Sequence, residues 1–365
     1  MYTEVIKLIE GGLSGDKEKV YNYALLLATN LEKEGESGLA KKIRATLNNK
    51  KGKLATLDSF STTPVDTESR MDIVDIYYPV VNKSDLILNR YLEEELNQFV
   101  EGYKRRDDIL NAGLNISNSL LLYGPPGCGK TTVAQYVSSI LGIPLVTARL
   151  DGLVSSLLGS TSKNIRKIFD YVNKRECILF LDEFDVVAKL RDDKNELGEL
   201  KRVVNSLIQN IDNLNPNNII IAATNHHELL DPAIWRRFSK IITLQKPEKD
   251  EIERLLSSYI SKSKIPVVIT EKKLSQVENA LIDCSHADIK TIFDNIIREA
   301  ILGDKKEINI CLFLKAIYVF KNHSITDEDE FIRFLLNNNV THKEINENIG
   351  IPLRKIQAVS KNKES

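Results

Sequence analysis

The sequence predicts an α/β fold: a buried parallel sheet covered by helices, with smaller helical units before and after it. Three observations carry that reading. Short apolar runs fall at 119–123 (SLLLY), 144–148 (PLVTA), 177–181 (CILFL), 219–223 (IIIAA) and 241–244 (IITL), with the length and unbroken apolar character of strands buried on both faces. Helix-length amphipathic stretches lie between most of them, the alternation that builds a parallel sheet. Outside about 71–245 the pattern is helical instead.

Taken in order, residues 1–50 read as a small helical unit. Val5, Ile6, Leu8 and Ile9 begin one amphipathic stretch that Gly11 and Gly12 end. Behind Asp16, the residues Val20, Tyr21, Ala24, Leu27, Ala28 and Leu31 recur at helical spacing, and Leu39, Ala40, Ile43 and Leu47 form a third set. Residues 51–70 are polar and Ser/Thr-rich, the composition of a linker. The α/β core follows over 71–245. Residues 246–322 are helical, clearest at Ile289, Ile292, Phe293, Ile296, Ile297, Ala300 and Ile301, where Ser285 and Asp288 have the spacing of a capping box. Residues 323–365 form a last small unit. There Thr341 and Glu344 repeat the capping-box spacing, and Gly350 suits the end of a helix.

Composition narrows the function. The chain of 365 residues is 42% hydrophobic and 28% charged, as in ordinary globular proteins, with a net charge of -1. That charge argues against a broad nucleic-acid grip, which needs a basic excess. The cysteines Cys128, Cys177, Cys284 and Cys311 make no CxxC pair, so neither a disulfide framework nor a zinc site is indicated, and a reducing cytoplasm is expected. No apolar run approaches the ~18 residues that cross a bilayer. Glu4 and Glu10 within a helical pattern make the N-terminus unlike a signal peptide. The Ile-, Asn- and Lys-rich composition with one tryptophan reads as that of an AT-rich bacterial genome.

The sharpest motif is Gly124-Pro125-Pro126-Gly127-Cys128-Gly129-Lys130-Thr131, followed by Thr132. The glycines let the backbone curl until successive N–H groups face phosphate oxygens, and the helix that follows adds its positive end. Lys130 is placed to reach the β- and γ-phosphates, and Thr131 to put its hydroxyl on Mg²⁺. The loop follows an apolar strand and precedes a helical pattern (Val133, Ala134, Val137, Ile140), the context the motif requires.

About fifty residues later an apolar run ends in Asp182-Glu183, at the carboxyl end of a strand, where open α/β sheets bind ligands. Asp182 is placed to hold Mg²⁺ and Glu183 to polarise an attacking water. Asp185 is expected to be a loop acid. The next strand ends in Thr224-Asn225. Asn225 suits a turn, and beside the other motifs it also suits a hydrogen bond to that water or to the γ-phosphate.

These residues resemble the AAA family of ATPases, within the wider AAA+ group, over about 84–302. GPPGCGKT, ILFLDEFD and IIIAATN are similar to that family's two nucleotide motifs and first sensor. Leu230-Asp231-Pro232-Ala233-Ile234-Trp235-Arg236-Arg237-Phe238 resembles its arginine-finger segment, in the form seen in the katanin, spastin and ESCRT-disassembly branch. Ser285-His286-Ala287-Asp288 resembles the Ser-Gly-Ala-Asp that opens the family's lid helix; the second-sensor arginine is absent. The resemblance implies ATP and Mg²⁺ as cofactors and a ring-shaped homo-oligomer, a hexamer, in which Arg236 and Arg237 reach a neighbour's γ-phosphate. The work implied is remodelling or unfolding of a protein client.

In threading members a pore loop carries an aromatic residue, an apolar one and Gly. Here Leu157-Leu158-Gly159 stand in that place, and leucine offers less gripping area than an aromatic ring. The N-terminal unit is similar in layout to substrate-docking bundles. Small stand-alone bacterial relatives sit beside subtilisin-like peptidase genes, which makes such a peptidase a candidate partner by association. The tail stays open between two readings. It resembles a helix-turn-helix, and residues 340–365 carry five Lys or Arg against three Glu, a net charge of +2, which suits DNA contact through 325–365. Such folds also serve as protein-docking or structural appendages.

Overall fold

The computed structural model describes residues 63–66, 72–79, 86–114, 116, 118–149, 158–185, 197–230 and 232–361, with scattered positions between 5 and 43. The linker 51–70 and the N-terminal unit lie almost wholly outside the described residues, as do Leu157 and Asp231.

The apolar runs form strands within one residue of expectation: β2 (Ser119–Tyr123), β3 (Leu145–Arg149), β4 (Ile178–Asp182), β5 (Ile219–Thr224) and β6 (Lys240–Thr243). One further strand, β1 (Val74–Tyr77), was not foreseen. Together they make a six-stranded sheet in the order β1-β3-β4-β5-β2-β6. β1 runs antiparallel to β3 at the edge, and the other pairings are parallel. A short strand that alternates with polar residues gives no buried-run signal, and its place is set by pairing with β3.

The pleat sorts the sheet's side chains into two cores. Leu121, Leu179, Leu181, Ile220 and Ala222 face one side, under α4 (Leu158–Val172) and α5 (Leu197–Asp212), which contribute Ile165, Ile168, Phe169, Val203 and Leu207. Their neighbours Leu120, Leu122, Ile178, Phe180, Ile219 and Ile221 face the other, against α1 (Arg90–Lys104) and α3 (Lys130–Leu141). The short helix α2 (Arg106–Asn111) buries no residue, and α6 (Pro232–Trp235) adds Ile234 to the first core.

After β6 come α7 (Lys249–Lys262), α8 (Glu271–Ala280), α9 (His286–Leu302), α10 (Ile310–Asn322), α11 (Glu328–Asn337), α12 (His342–Ile349) and α13 (Leu353–Lys361). Both capping boxes exist: Ser285 with Asp288 at α9, and Thr341 with Glu344 at α12, whose end is Gly350 at φ +85°. One apolar core runs from Ile252 to Val359, so Ile345, Ile351 and Ile356 of the tail pack with Phe313 and Ile317 of α10. The expected division near 322 therefore falls inside a shared core. On α13, Ile356 and Val359 face inward while Arg354 and Gln357 are exposed, and Lys355 pairs with Glu328 and Asp329 of α11.

All four cysteines are free and buried. Among the described residues no helix is long and apolar enough to cross a membrane, and no group of three or more His, Cys, Asp or Glu is arranged to hold a metal ion.

Candidate functional site

The ends of β2, β4 and β5 converge because parallel strands share one carboxyl edge. The loop after β2 turns on glycines that nothing else could replace. Gly124 has φ +144°, and a Cβ there would strike the carbonyl oxygen of Leu244. Gly127 has φ +75°, and a Cβ there would strike the hydroxyl of Ser285. Gly129, at φ +91°, is the N-cap of α3. The start of α9 thus rests on the loop, and the Ala287 N–H donates to the Gly127 carbonyl at 3.0 Å.

Lys130 opens α3 and is buried, at 9% exposure. Its ammonium donates to the carbonyls of Gly124 at 2.7 Å and Pro125 at 2.9 Å. Burial lowers its pKa from the ordinary lysine value, against the pull of Cys128, Asp182 and Asp185. An ammonium has three donors, so one remains for an anion in the cavity. Cys128 is buried beneath the loop, its thiol pushed up by that burial.

Asp182 ends β4 and its carboxylate accepts the Glu183 N–H at 3.0 Å. Glu183 has φ +52°, a left-handed conformation costly for a side chain of this type, and the kind of strain that collects at working sites. Two contacts hold it there. The Phe184 N–H donates to the Ala223 carbonyl at 2.8 Å, and buried Asp185 accepts the Thr224 hydroxyl at 3.1 Å. Asp185 is a loop acid, as the sequence suggested, in the turn after β4, and its burial makes it a tie to the end of β5. The Asn225 side-chain oxygen is buried with no hydrogen-bond partner among the described residues.

These groups line one cavity of about 660 Å³. Its lining includes every predicted residue from Pro126 to Thr132, with Asp182, Glu183 and Asn225. Gly124 and Pro125 contribute instead through the carbonyls that hold Lys130. The cavity also has a wall that no motif announced: Leu86, Ile87 and Leu88 before α1, Leu255, Ser258, Tyr259 and Lys262 of α7, and His286, Ala287 and Lys290 of α9. Only the amphipathic periodicity of α7 and the Ser-His-Ala-Asp run hinted at it.

Arg236 and Arg237 do not line the cavity. The segment is anchored by Ile234 and Phe238, both buried, with Phe238 edge-on to Phe184 at 5.9 Å and Trp235 edge-on to Tyr123 at 5.8 Å. Arg237 donates to both oxygens of Asp212 at 3.3 Å and to the Ala233 carbonyl at 2.9 Å. Arg236 is exposed and makes no side-chain contact among the described residues.

The residues fit a nucleotide and its metal. A buried ammonium with a donor to spare, an orphaned amide oxygen and a curled loop at a helix N-terminus suit phosphates. The hydroxyl of Thr131 and the carboxylate of Asp182 face the same cavity and are the hard oxygen donors that magnesium takes.

The profile of the "ATPase family associated with various cellular activities (AAA)" matches residues 120–246. The chain is 39% identical over 250 residues to the uncharacterized AAA family ATPase y4kL of Sinorhizobium fredii, covering 68% of this chain and 74% of that one. It is 30% identical over 253 residues to proteasome-activating nucleotidase 1 of Haloferax volcanii, covering 66% of this chain and 61% of that protein. It is also 30% identical over 228 residues to the ATP-dependent zinc metalloprotease FTSH 7, chloroplastic, of Arabidopsis thaliana, of which it spans only 28%. The chain belongs to the AAA family of ATPases.

Proposed function

We propose that this chain binds ATP with Mg²⁺ in the 660 Å³ cavity, hydrolyses it within a ring of like subunits, and uses the cycle to remodel a protein partner. One observation carries the reading. The loop, Asp182, Glu183 and Asn225 share a cavity that neither Arg236 nor Arg237 of the same chain lines.

On this reading Thr131 and Asp182 would hold the metal, which when bound neutralises charge on the phosphate oxygens. Lys130 gives its remaining donor to a phosphate oxygen. Glu183, fixed by its strained backbone, accepts a proton from the attacking water. Asn225 uses its orphaned oxygen to orient that water. A guanidinium from the neighbouring subunit meets the charge that develops on the transferred group. Arg236, exposed and uncommitted, takes that role, while Arg237 is held by Asp212 and braces the segment. Residues 71–245 then carry the chemistry, and the helices that follow form the lid.

A protein partner is favoured over DNA. The relatives include a proteasome-activating nucleotidase, and α13 lies beside the acidic start of α11, where Lys355 is paired with Glu328 and Asp329.

The test is Glu183→Gln. It should bind ATP as tightly as the parent, hydrolyse it at least about 100-fold more slowly, and run as a larger species with ATP in size-exclusion chromatography. Undiminished turnover would overturn the assignment of Glu183.

A further inference from the structure

One wall residue of the cavity is unexplained by phosphate or metal chemistry. His286 is the first residue of α9, its ring is buried, and neither nitrogen makes a well-formed hydrogen bond among the described residues, with the Ile87 backbone within weak reach of the ring. Buried polar atoms are nearly always paired, so a ring this poorly satisfied at the edge of a cavity calls for a ligand.

The cavity lining combines a polar set with an apolar one. Lys130, Asp182, Glu183 and Asn225 mark the first. Ile87, Leu88, Leu255 and Tyr259 mark the second, an apolar wall suited to the flat faces of a base. His286 lines the cavity with them and supplies a polar group beside that wall. It is also rigidly placed. Ser285 caps α9, and the neighbouring Ala287 N–H is bonded to the Gly127 carbonyl, so the ring is held in register with the loop.

We propose that His286 hydrogen-bonds the base of the nucleotide in this cavity and is the side chain that makes base identity matter to this site. This rests on the reading of the cavity given above. Burial lowers the pKa of His286, the Ile87 backbone pulling the other way, so the ring is neutral and offers one N–H and one lone pair. The ring also borders a second cavity of about 230 Å³, where water can serve the other nitrogen. The pattern this segment resembles has glycine here, which has no side chain to give.

The test is calorimetric titration of the full chain with ADP, 2′-deoxy-ADP and inorganic pyrophosphate, for the parent, His286→Gly and His286→Asn. His286→Gly should weaken ADP and 2′-deoxy-ADP alike by about tenfold, the value of one buried hydrogen bond, and leave pyrophosphate unchanged. His286→Asn, which keeps a donor and an acceptor, should recover part of the loss. Equal weakening of pyrophosphate would show a structural role and overturn the proposal. So would unchanged ADP binding, or a loss that vanishes with 2′-deoxy-ADP, which would move the contact to the sugar. A parent that binds pyrophosphate but not ADP would overturn it too. A parent that binds none of the three would instead sink the reading of the cavity.

Discussion

The strand ends of the sheet and the helices after residue 249 obey local rules to different degrees. Most of the helices begin with side-chain caps, and their left-handed residues Asp283, Asp304, His323 and Asn339 fall in the turns between them. α9 and α12 carry full capping boxes, α10 and α11 are capped by Asn309 and Asp327, and one apolar core joins them from Ile252 to Val359. At the strand ends the rules are broken within a few residues: Glu183 is left-handed, the Asn225 oxygen is unpaired, and Gly124 and Gly127 sit where no side chain fits. At the strand ends such conflicts crowd around one cavity, where the rigid sheet around them can bear their cost. The two meet where the Ala287 N–H bonds the Gly127 carbonyl, which joins α9 to the loop.

Substitutions test the two regions separately. The largest expected effect is on turnover through the exposed cation. Arg236→Ala should cut hydrolysis on the order of 10³-fold with unchanged ADP affinity, and mixing it with inactive Lys130→Ala subunits should restore part of the rate. Arg237→Ala should instead lower the melting temperature by loosening the tie to Asp212. If Arg237→Ala proves the more damaging to turnover at unchanged stability, the division of roles between the two arginines is reversed.

Next is the meeting point. Gly127→Ala should destabilise the chain by roughly 2 kcal/mol and weaken ADP binding together, because the new methyl must displace Ser285 and adopt a positive φ. A change in stability alone would mean that the loop and α9 are not coupled.

Smaller still, Thr341→Ala should cost about 1 kcal/mol in denaturant unfolding through its lost cap, with hydrolysis unaffected. A fall in turnover would show that the tail reports to the site.

The smallest effect is the Glu344–Lys273 pair between α12 and α8. Burial raises the Glu344 pKa, but Lys273 and Thr341 outweigh it and hold the carboxyl below its ordinary value. A depressed acid stabilises the fold above its unfolded pKa and loses that contribution as pH falls through the folded one. The gap between the parent and Glu344→Gln should be about 1 kcal/mol or less at pH 7 and close as pH falls below about 4. A gap that persists in acid would assign it to packing rather than charge.

Much of this was legible in sequence because the signals were local. Buried strands announce themselves as apolar runs, and the loop needs glycines at fixed spacing. Capping boxes need only two residues, three apart. β1 escaped notice because its edge position depends on β3, and the burial of Asp185 because Thr224 lies on another strand. The tail's helices were expected from their caps, but not their docking onto α10, since Ile345 and Ile356 could have faced any partner.

The α/β alternation, the glycine loop, the acidic pair and the helix caps were legible in the sequence, because each is fixed by the chemistry of neighbouring residues. Only the tertiary structure decided that Leu86–Leu88, α7 and His286 complete the cavity wall, that Arg237 is committed to Asp212, and that Arg236 is not. Those facts depend on contacts between residues far apart in the chain, whose geometry is set when the sheet and the lid pack together.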